Sequence, residues 1–542
     1  MATTTANRRS RIAPAVPNWR RVTVLVSLLL LGWAALLPAG RQPLWWHYAV
    51  AAALILAFLG SWHGQHVSTT VRRWAPMAWH NRRQRSRRAR GSQPRRRRSG
   101  QAAPTEQTPA PAVSSALEAR IVVHLRPHPH TMTTPEDTTD QLPWRFITGW
   151  LDRYGVRADA VTITAVTRTP APSGLRTDSA ALLTGRTPQH RDTWLTYTLR
   201  AENNVGALTA RRTTMGNPAG GASVEDPEVP ARAALADTTG RRLIAELRER
   251  GWLATISDVD ELPEFTPAAA TERRETWTAT EYADGFRAVY AVEPAALDSV
   301  LAALPTLGAK ATWVALTIRA RGHQPATIEA CVGTLTGGRP TRDPLPGLSG
   351  FHGLHRRVAP GLAVTGFTHE DVALPTAEVV WSQLEELPWP TGAAGVPIGF
   401  NRARQPVYLG LASPEPARIT VTGTREFHVG IIARLALSGL PVAVYAADPR
   451  QWAALANHAA AQQIQIRPPA GPPPGAIVVT DGSVEAPAGA ITVTLRRPQT
   501  AHAPATTIVI TQDGRRPDLF WVTTAHGRVW LSTRLVDDAG RR

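Results

Sequence analysis

Two carboxylates stand two residues apart in "SDVDELPEF", Asp258 and Asp260, directly after a strand-like stretch. Such a D-x-D pair can share a hard divalent cation, and glycosyltransferases use it to hold a metal with a nucleotide diphosphate. An acidic turn between a strand and a loop has the same composition, and nothing else in the chain corroborates a sugar-nucleotide site. Five histidines are further candidates for ligands or bases: His128 and His130 in "RPHPHT", His352 and His355 in "FHGLH", and His369 in "FTHED". Their spacing matches no zinc signature, and no G-x-S-x-G or comparable nucleophile motif accompanies them. Cys331 is the single cysteine, which excludes an intrachain disulfide framework and a cysteine-based zinc site. The last candidate is the turn "TGTREF", whose only glycine is Gly423, with Asp448 at the end of the next strand. It contains neither G-x-G-x-x-G nor G-x-x-x-x-G-K-[ST], so the backbone has no easy approach to a pyrophosphate. Asp448 before Pro449 is also an ordinary helix-start pair. The sequence therefore assigns no catalytic, cofactor-binding or metal-binding residue, and an enzyme is not expected.

The elements that would position these residues alternate between strand and helix. "ARIVVHL" (119–125), "ADAVTITAVTRT" (158–169), "DTWLTYTLRA" (192–201) and "WLATIS" (252–257) read as strands. "WRFITGWLDRYG" (144–155) predicts a helix ending near Gly155, and a second helix covers Arg241 to Arg250. Met215 to Pro230 reads as an exposed loop. Residues 395–411 predict a hairpin, followed by strand 417–423, helix 425–439, strand 440–448 and helix 449–461. This β-α-β-α order predicts a parallel sheet with right-handed crossovers.

Charge is distributed unevenly around that frame. The net charge is +18, and all of it resides before residue 99, where 18 arginines occur without a single Asp or Glu. The remaining 42 basic residues balance the 42 acidic ones. Residues 22–40 and 44–62 each lack charged side chains and as helices would rise about 28 Å, enough to span a bilayer once. Arginine placement then predicts that both termini and the large domain face the cytoplasm, in a multi-pass protein of the cell inner (plasma) membrane. A cleaved signal peptide is the competing reading of the first segment. Ala49, Ala53, Ala57 and Ser61 form a stripe of small side chains suited to helix packing, or reflect a generally Ala-rich chain. The run "RRQRSRRARGSQPRRRRSG" (82–100) then reads as cytoplasmic, with Arg72 to Arg98 meeting anionic lipid headgroups. A nucleic-acid partner is not expected, because the rest of the chain is neutral.

The expected fold class is a membrane-anchored α/β protein, two transmembrane helices followed by a mixed α/β cytosolic region of two subdomains. Its parts are a basic tail (1–21), a transmembrane hairpin (22–62) and an Arg-rich juxtamembrane segment with a disordered linker (63–118). An α/β subdomain (119–338), a connecting segment (339–394) and a C-terminal α/β subdomain (395–542) complete it.

"LPWRFITGWLDRYGVRA", "TYTLRAENNVGALTARR" and "GVPIGFNRARQPVYLGL", with the strand-helix-strand ending in "YAADPRQWAAL", resemble the EccE family of type VII (ESX) secretion systems. The resemblance implies a non-catalytic subunit of an inner-membrane secretion complex beside EccB, EccC and EccD components, with ATP hydrolysis left to EccC and no cofactor. The alternatives are a membrane-tethered glycosyltransferase-like enzyme using Asp258 and Asp260, and a membrane-anchored nucleic-acid binder.

Overall fold

Residues 158–169 become the strand Ala160–Arg168, paired antiparallel with His190–Arg200 on one side and Ala311–Arg319 on the other. Its run of Val, Thr, Ile and Ala is buried at eight successive positions, the composition of a strand covered on both faces. This is seen in a computed structural model that describes residues 65–90, 112–114, 118–134, 140–170, 173–183, 190–215, 228–257, 262–267, 271–320, 325–364, 374–392, 395–411, 416–497 and 507–533, with scattered positions between 23 and 62.

Antiparallel pairing extends this strand into a twelve-stranded sheet. Its main order is Leu253–Ile256, Glu118–Arg126, His190–Arg200, Ala160–Arg168, Ala311–Arg319, Thr327–Thr336, Gly285–Val292, Thr280–Tyr282 and Glu272–Glu275. Side chains alternate between its two faces, as the pleat requires. Ile121, Val123 and Leu125 join the cluster under the helices Trp144–Gly149 and Glu228–Glu249, which contribute Ile147, Leu235, Leu243 and Leu247. Val122, Val166 and Trp194 face the other way, against Phe351, Val358, Leu362 and Val364.

The second sheet has eleven strands. Six are parallel, in the order Ile464–Ile466, Val442–Tyr445, Ile477–Thr480, Ile491–Arg496, Ala417–Thr422 and Ile508–Gln512. Helix Arg425–Ala436 connects the first of these in sequence to Val442–Tyr445, burying Phe427, Ile431, Ile432 and Leu435 on the core. Antiparallel strands complete the sheet, and its far edge is Met132–Thr133, lent by the first half of the chain and paired with Tyr408 and Leu409.

Four expectations change here. Among the described residues no helix is long and apolar enough to cross a membrane, which overturns the multi-pass inner-membrane placement. The segments 22–40 and 44–62 lie for the most part outside the described residues, and Ser61–Trp62 is a strand paired with Gln65–His66. The juxtamembrane segment contains a 24-residue helix, Val67–Arg90, whose positions 70, 73, 77, 80, 81 and 84 are turned toward the protein while Arg82, Arg83 and Arg85 are exposed. That spacing of three and four is one helix face; the arginines between its members masked it in the sequence. The stretch 144–155 is a helix only to Gly149, then a hairpin of Asp152–Arg153 with Val156–Arg157. Tyr154 and Gly155, both at positive φ (56° and 70°), make its turn, the left-handed pair favoured by two-residue hairpins. The connecting segment 339–394 belongs to the first sheet. Leu348–Gly350 and Thr376–Glu378 pair with it, and Trp389 is wholly buried in its core.

Candidate functional site

The arginine-bearing helix Val67–Arg90 sits beside the edge strand Glu272–Glu275, and polar side chains fix it there. Asn81 donates from Nδ2 to the Glu275 carbonyl at 2.8 Å, while its Oδ1 accepts from the Glu275 N–H at 2.9 Å. One amide thereby satisfies both backbone groups of an edge residue, as a further strand would. Beside it His80 Nε2 lies 3.2 Å from Glu272 Oε1, and Met77 is buried.

Behind this edge the "FHGLHRR" segment brings two of the sequence-predicted histidines together. His352 and His355 are 4% and 1% exposed, with ring centres 6.1 Å apart. His355 Nδ1 accepts the Val289 N–H at 3.1 Å. His352 stacks on Trp277 with centroids 5.9 Å apart, and its Nε2 accepts from Arg342 Nε at 3.2 Å. A nitrogen that accepts carries no proton, so both rings are neutral. Burial pulls His355 down to about 3, helped by His352. His352 is lowered in the same direction by burial and then by Arg342. The neighbouring residue, Arg356, donates its backbone N–H to Glu275 Oε1 at 3.1 Å, and burial pushes that carboxyl up to about 7. The cluster thus holds two neutral imidazoles and one easily protonated carboxyl, tying a loop and a helix to the sheet.

A second titratable group was not visible in the sequence. Asp192 lies 3.1 Å from His124 Nε2 and 3.3 Å from His190 Nδ1. Burial pushes its carboxyl up, but the hydrogen bond with His124 and the nearby His190 ring outweigh this and hold it well below the usual range. His124 stacks on Trp194 at 4.9 Å. Three residues from two strands meet because the register sets His124 opposite Trp194, while 190, 192 and 194 share one face.

The remaining candidates are accounted for locally. His128 Nε2 donates to the Arg250 carbonyl at 3.2 Å, and its ring lies 4.7 Å from Trp252. His130 is buried, and burial together with His526 lowers its pKa. His526 in turn donates to the Pro129 carbonyl at 3.1 Å, so the "RPHPHT" stretch fastens the first half of the chain to the second sheet. Asp258, Asp260 and His369 lie outside the described residues. Among the described residues no three His, Cys, Asp or Glu groups are placed to share a metal ion. Cys331 is buried, and burial pushes its thiol up to about 12.

The β-α turn at Gly423 is filled from within. Gln512 Oε1 accepts the Thr424 N–H at 2.8 Å, the Gly423 N–H goes to the Arg496 carbonyl at 3.1 Å, and Thr424 Oγ1 caps the helix by accepting from Phe427 N. Three amides that could otherwise face a phosphate, those of Gly423, Thr424 and Phe427, are already used. A Cβ at Gly423 would meet Phe427 Cδ1 at 2.5 Å, so the glycine here serves close helix packing. Asp448 accepts the Arg450 N–H at 3.0 Å, the helix-start role.

These arrangements describe a two-sheet α/β protein whose buried polar groups are used to hold segments together. No family model matches the chain. It is similar to the ESX-3 secretion system protein EccE3 of Mycolicibacterium smegmatis, 28% identical over 322 residues, which are 57% of this chain and 77% of the relative. The ESX-3 secretion system protein EccE3 of Mycobacterium tuberculosis is 28% identical over 271 residues, 50% of this chain and 61% of the relative. These similarities support placing the chain with the EccE proteins.

Proposed function

We propose that this chain is a non-catalytic subunit of a type VII (ESX) secretion complex, where it assembles with and stabilises EccB-, EccC- and EccD-type components. The observation that carries the reading is the similarity to two EccE3 proteins named for the ESX-3 secretion system, which extends over half the chain or more. The filled turn at Gly423 and the neutral, packed His352 and His355 agree with a scaffolding role. Affinity isolation of the tagged full-length chain from its own cells is expected to recover EccB-, EccC- and EccD-type proteins in constant proportion. Recovery of the chain alone would remove the reading.

On the same reading, the segment Arg72 to Arg98 meets anionic lipid headgroups. Arg72, Arg82, Arg83 and Arg85 are exposed on the outward face of the docked helix, beside the exposed Trp74 and Trp79. The expected result is flotation of the chain with phosphatidylglycerol vesicles and not with phosphatidylcholine vesicles, fading as salt is raised. Equal flotation with both would refute the headgroup contact.

A further inference from the structure

An open cleft of about 370 Å³ lies on the helical side of the first sheet, away from the histidine cluster. The hairpin turn after helix Trp144–Gly149 forms one wall, with Trp150, Arg153 and Tyr154. The helix Glu228–Glu249 supplies Thr238, Thr239 and Arg242, and Ala207 and Ala210 come from the helix Val205–Met215.

Three features set this cleft apart from an ordinary surface furrow. First, its two cations are in different states. Arg153 is neutralised by Glu246, at 2.9 Å, and Glu246 also accepts from the Tyr154 hydroxyl at 2.8 Å. Arg242 has no acidic partner among the described residues; its guanidinium lies 5.5 Å from the Tyr154 ring centre. Second, Trp150 is only 4% exposed, yet its Nε1 has no acceptor among the described residues. Buried indole N–H groups normally have one; Trp313, Trp389 and Trp452 share that state, but of the four it is Trp150 that lines the cleft. Third, Tyr154 is held at φ 56° and is 58% exposed. A bulky aromatic residue in the left-handed region carries strain that an Asn or Gly turn would avoid.

We infer that this cleft binds an acidic peptide segment of a partner protein, with a carboxylate side chain taking Arg242 and the Trp150 N–H while Tyr154 packs on the peptide. Charge complementarity selects the occupant. One free guanidinium, one N–H donor and the small apolar walls of Ala207, Ala210 and Val156 suit a carboxylate on a short aliphatic stem. A nucleotide would call for several cations and free backbone amides, which this cleft does not present. Trp, Tyr and Arg are also the residue types that concentrate binding energy at protein interfaces. The inference does not depend on the secretion reading, since it concerns the isolated chain.

Fluorescence anisotropy of the full-length chain with a labelled peptide of alternating glutamate and alanine tests it, against a lysine–alanine peptide. The acidic peptide binds and the basic one does not. Arg242→Ala weakens binding by about ten-fold or more, the loss typical of a charge-assisted contact. Trp150→Phe keeps the ring, removes the donor and weakens binding several-fold. Arg418→Ala, an exposed arginine on the second sheet with the same charge change, leaves it unaltered. Circular dichroism and thermal midpoints of the variants match the parent. The inference is overturned by absence of acidic-peptide binding, by equal weakening in the Arg242 and Arg418 variants, or by ATP displacing the peptide more effectively than free glutamate peptide does.

Discussion

Trp389→Ala destabilises the first sheet by about 3–5 kcal/mol, the range for deleting a fully buried large aromatic side chain. Trp389 has no exposed surface and packs edge-on against Trp144, with centroids 6.1 Å apart and planes at 82°. Its own Nε1 has no acceptor among the described residues, so truncation breaks no side-chain hydrogen bond there and the loss is one of packing and cavity. The effect reaches further than one side chain because residues 387–391 form a strap over the start of the first subdomain. Trp144 Nε1 donates to the Leu387 carbonyl at 2.9 Å, Leu142 N–H to the Trp389 carbonyl at 2.9 Å, and Thr391 N–H to the Asp140 carbonyl at 3.0 Å. With the anchor gone, the strap is expected to become sensitive to protease near Trp381–Glu386 while the second sheet stays resistant. Urea unfolding of the full chain, compared with Trp530→Ala at a 43% exposed position, checks it. A loss below about 1 kcal/mol for Trp389→Ala would mean that the core closes over the gap.

How much of this was written locally can be judged element by element. The strand at 417–423, helix at 425–439, strand at 440–448 and helix at 449–461 are observed as Ala417–Thr422, Arg425–Ala436, Val442–Tyr445 and Arg450–His458. Here periodicity, the Thr424 cap and the turn residues all favour one answer. Trp389 shows the opposite case. Its flanking prolines and glutamates read as connector, and only the three-dimensional arrangement reveals that Trp144, 245 positions earlier in the chain, offers it a surface. The helix Val67–Arg90 was hidden because its inward face mixes Arg73, Met77, His80 and Asn81, residues that no hydrophobicity pattern groups. The pairing of His352 with His355 could be suspected from their spacing. The meeting of His124, Asp192 and His190 could not, because it depends on strand register set 68 residues away in sequence.

Glu275→Gln is expected to stabilise the chain, and to do so only above a certain pH. The carboxyl is 5% exposed, and burial, with Glu272 nearby, pushes it up to about 7 from an ordinary 4.5 in spite of the Arg356 N–H. A folded-state value above the unfolded one means that the native form prefers the proton. The stability it contributes is therefore complete below pH 4.5 and is lost as the pH rises through 7. Above pH 7 the buried carboxylate costs on the order of 3 kcal/mol relative to its protonated form, at about 1.4 kcal/mol per pH unit. A glutamine removes that cost, and its amide oxygen can still accept the Arg356 N–H. His355 acts in the opposite sense: held at about 3 against an ordinary 6.5, it contributes stability that is complete above pH 6.5 and is lost as the pH falls toward 3. Between 4.5 and 6.5 the two slopes oppose each other, so this pair leaves the parent's stability nearly level there. In Glu275→Gln the His355 slope is uncovered, and stability climbs with pH across that window. Urea midpoints of parent and variant should coincide near pH 4, separate from pH 5 and differ most at pH 8. A variant less stable than the parent at pH 8 would show that the ionised carboxylate, with Arg356 Nε 3.8 Å away, is a favourable ion pair. The docking of the helix Val67–Arg90 is a separate matter, because Asn81 bonds the backbone of Glu275 and not its carboxyl, and so holds at any pH.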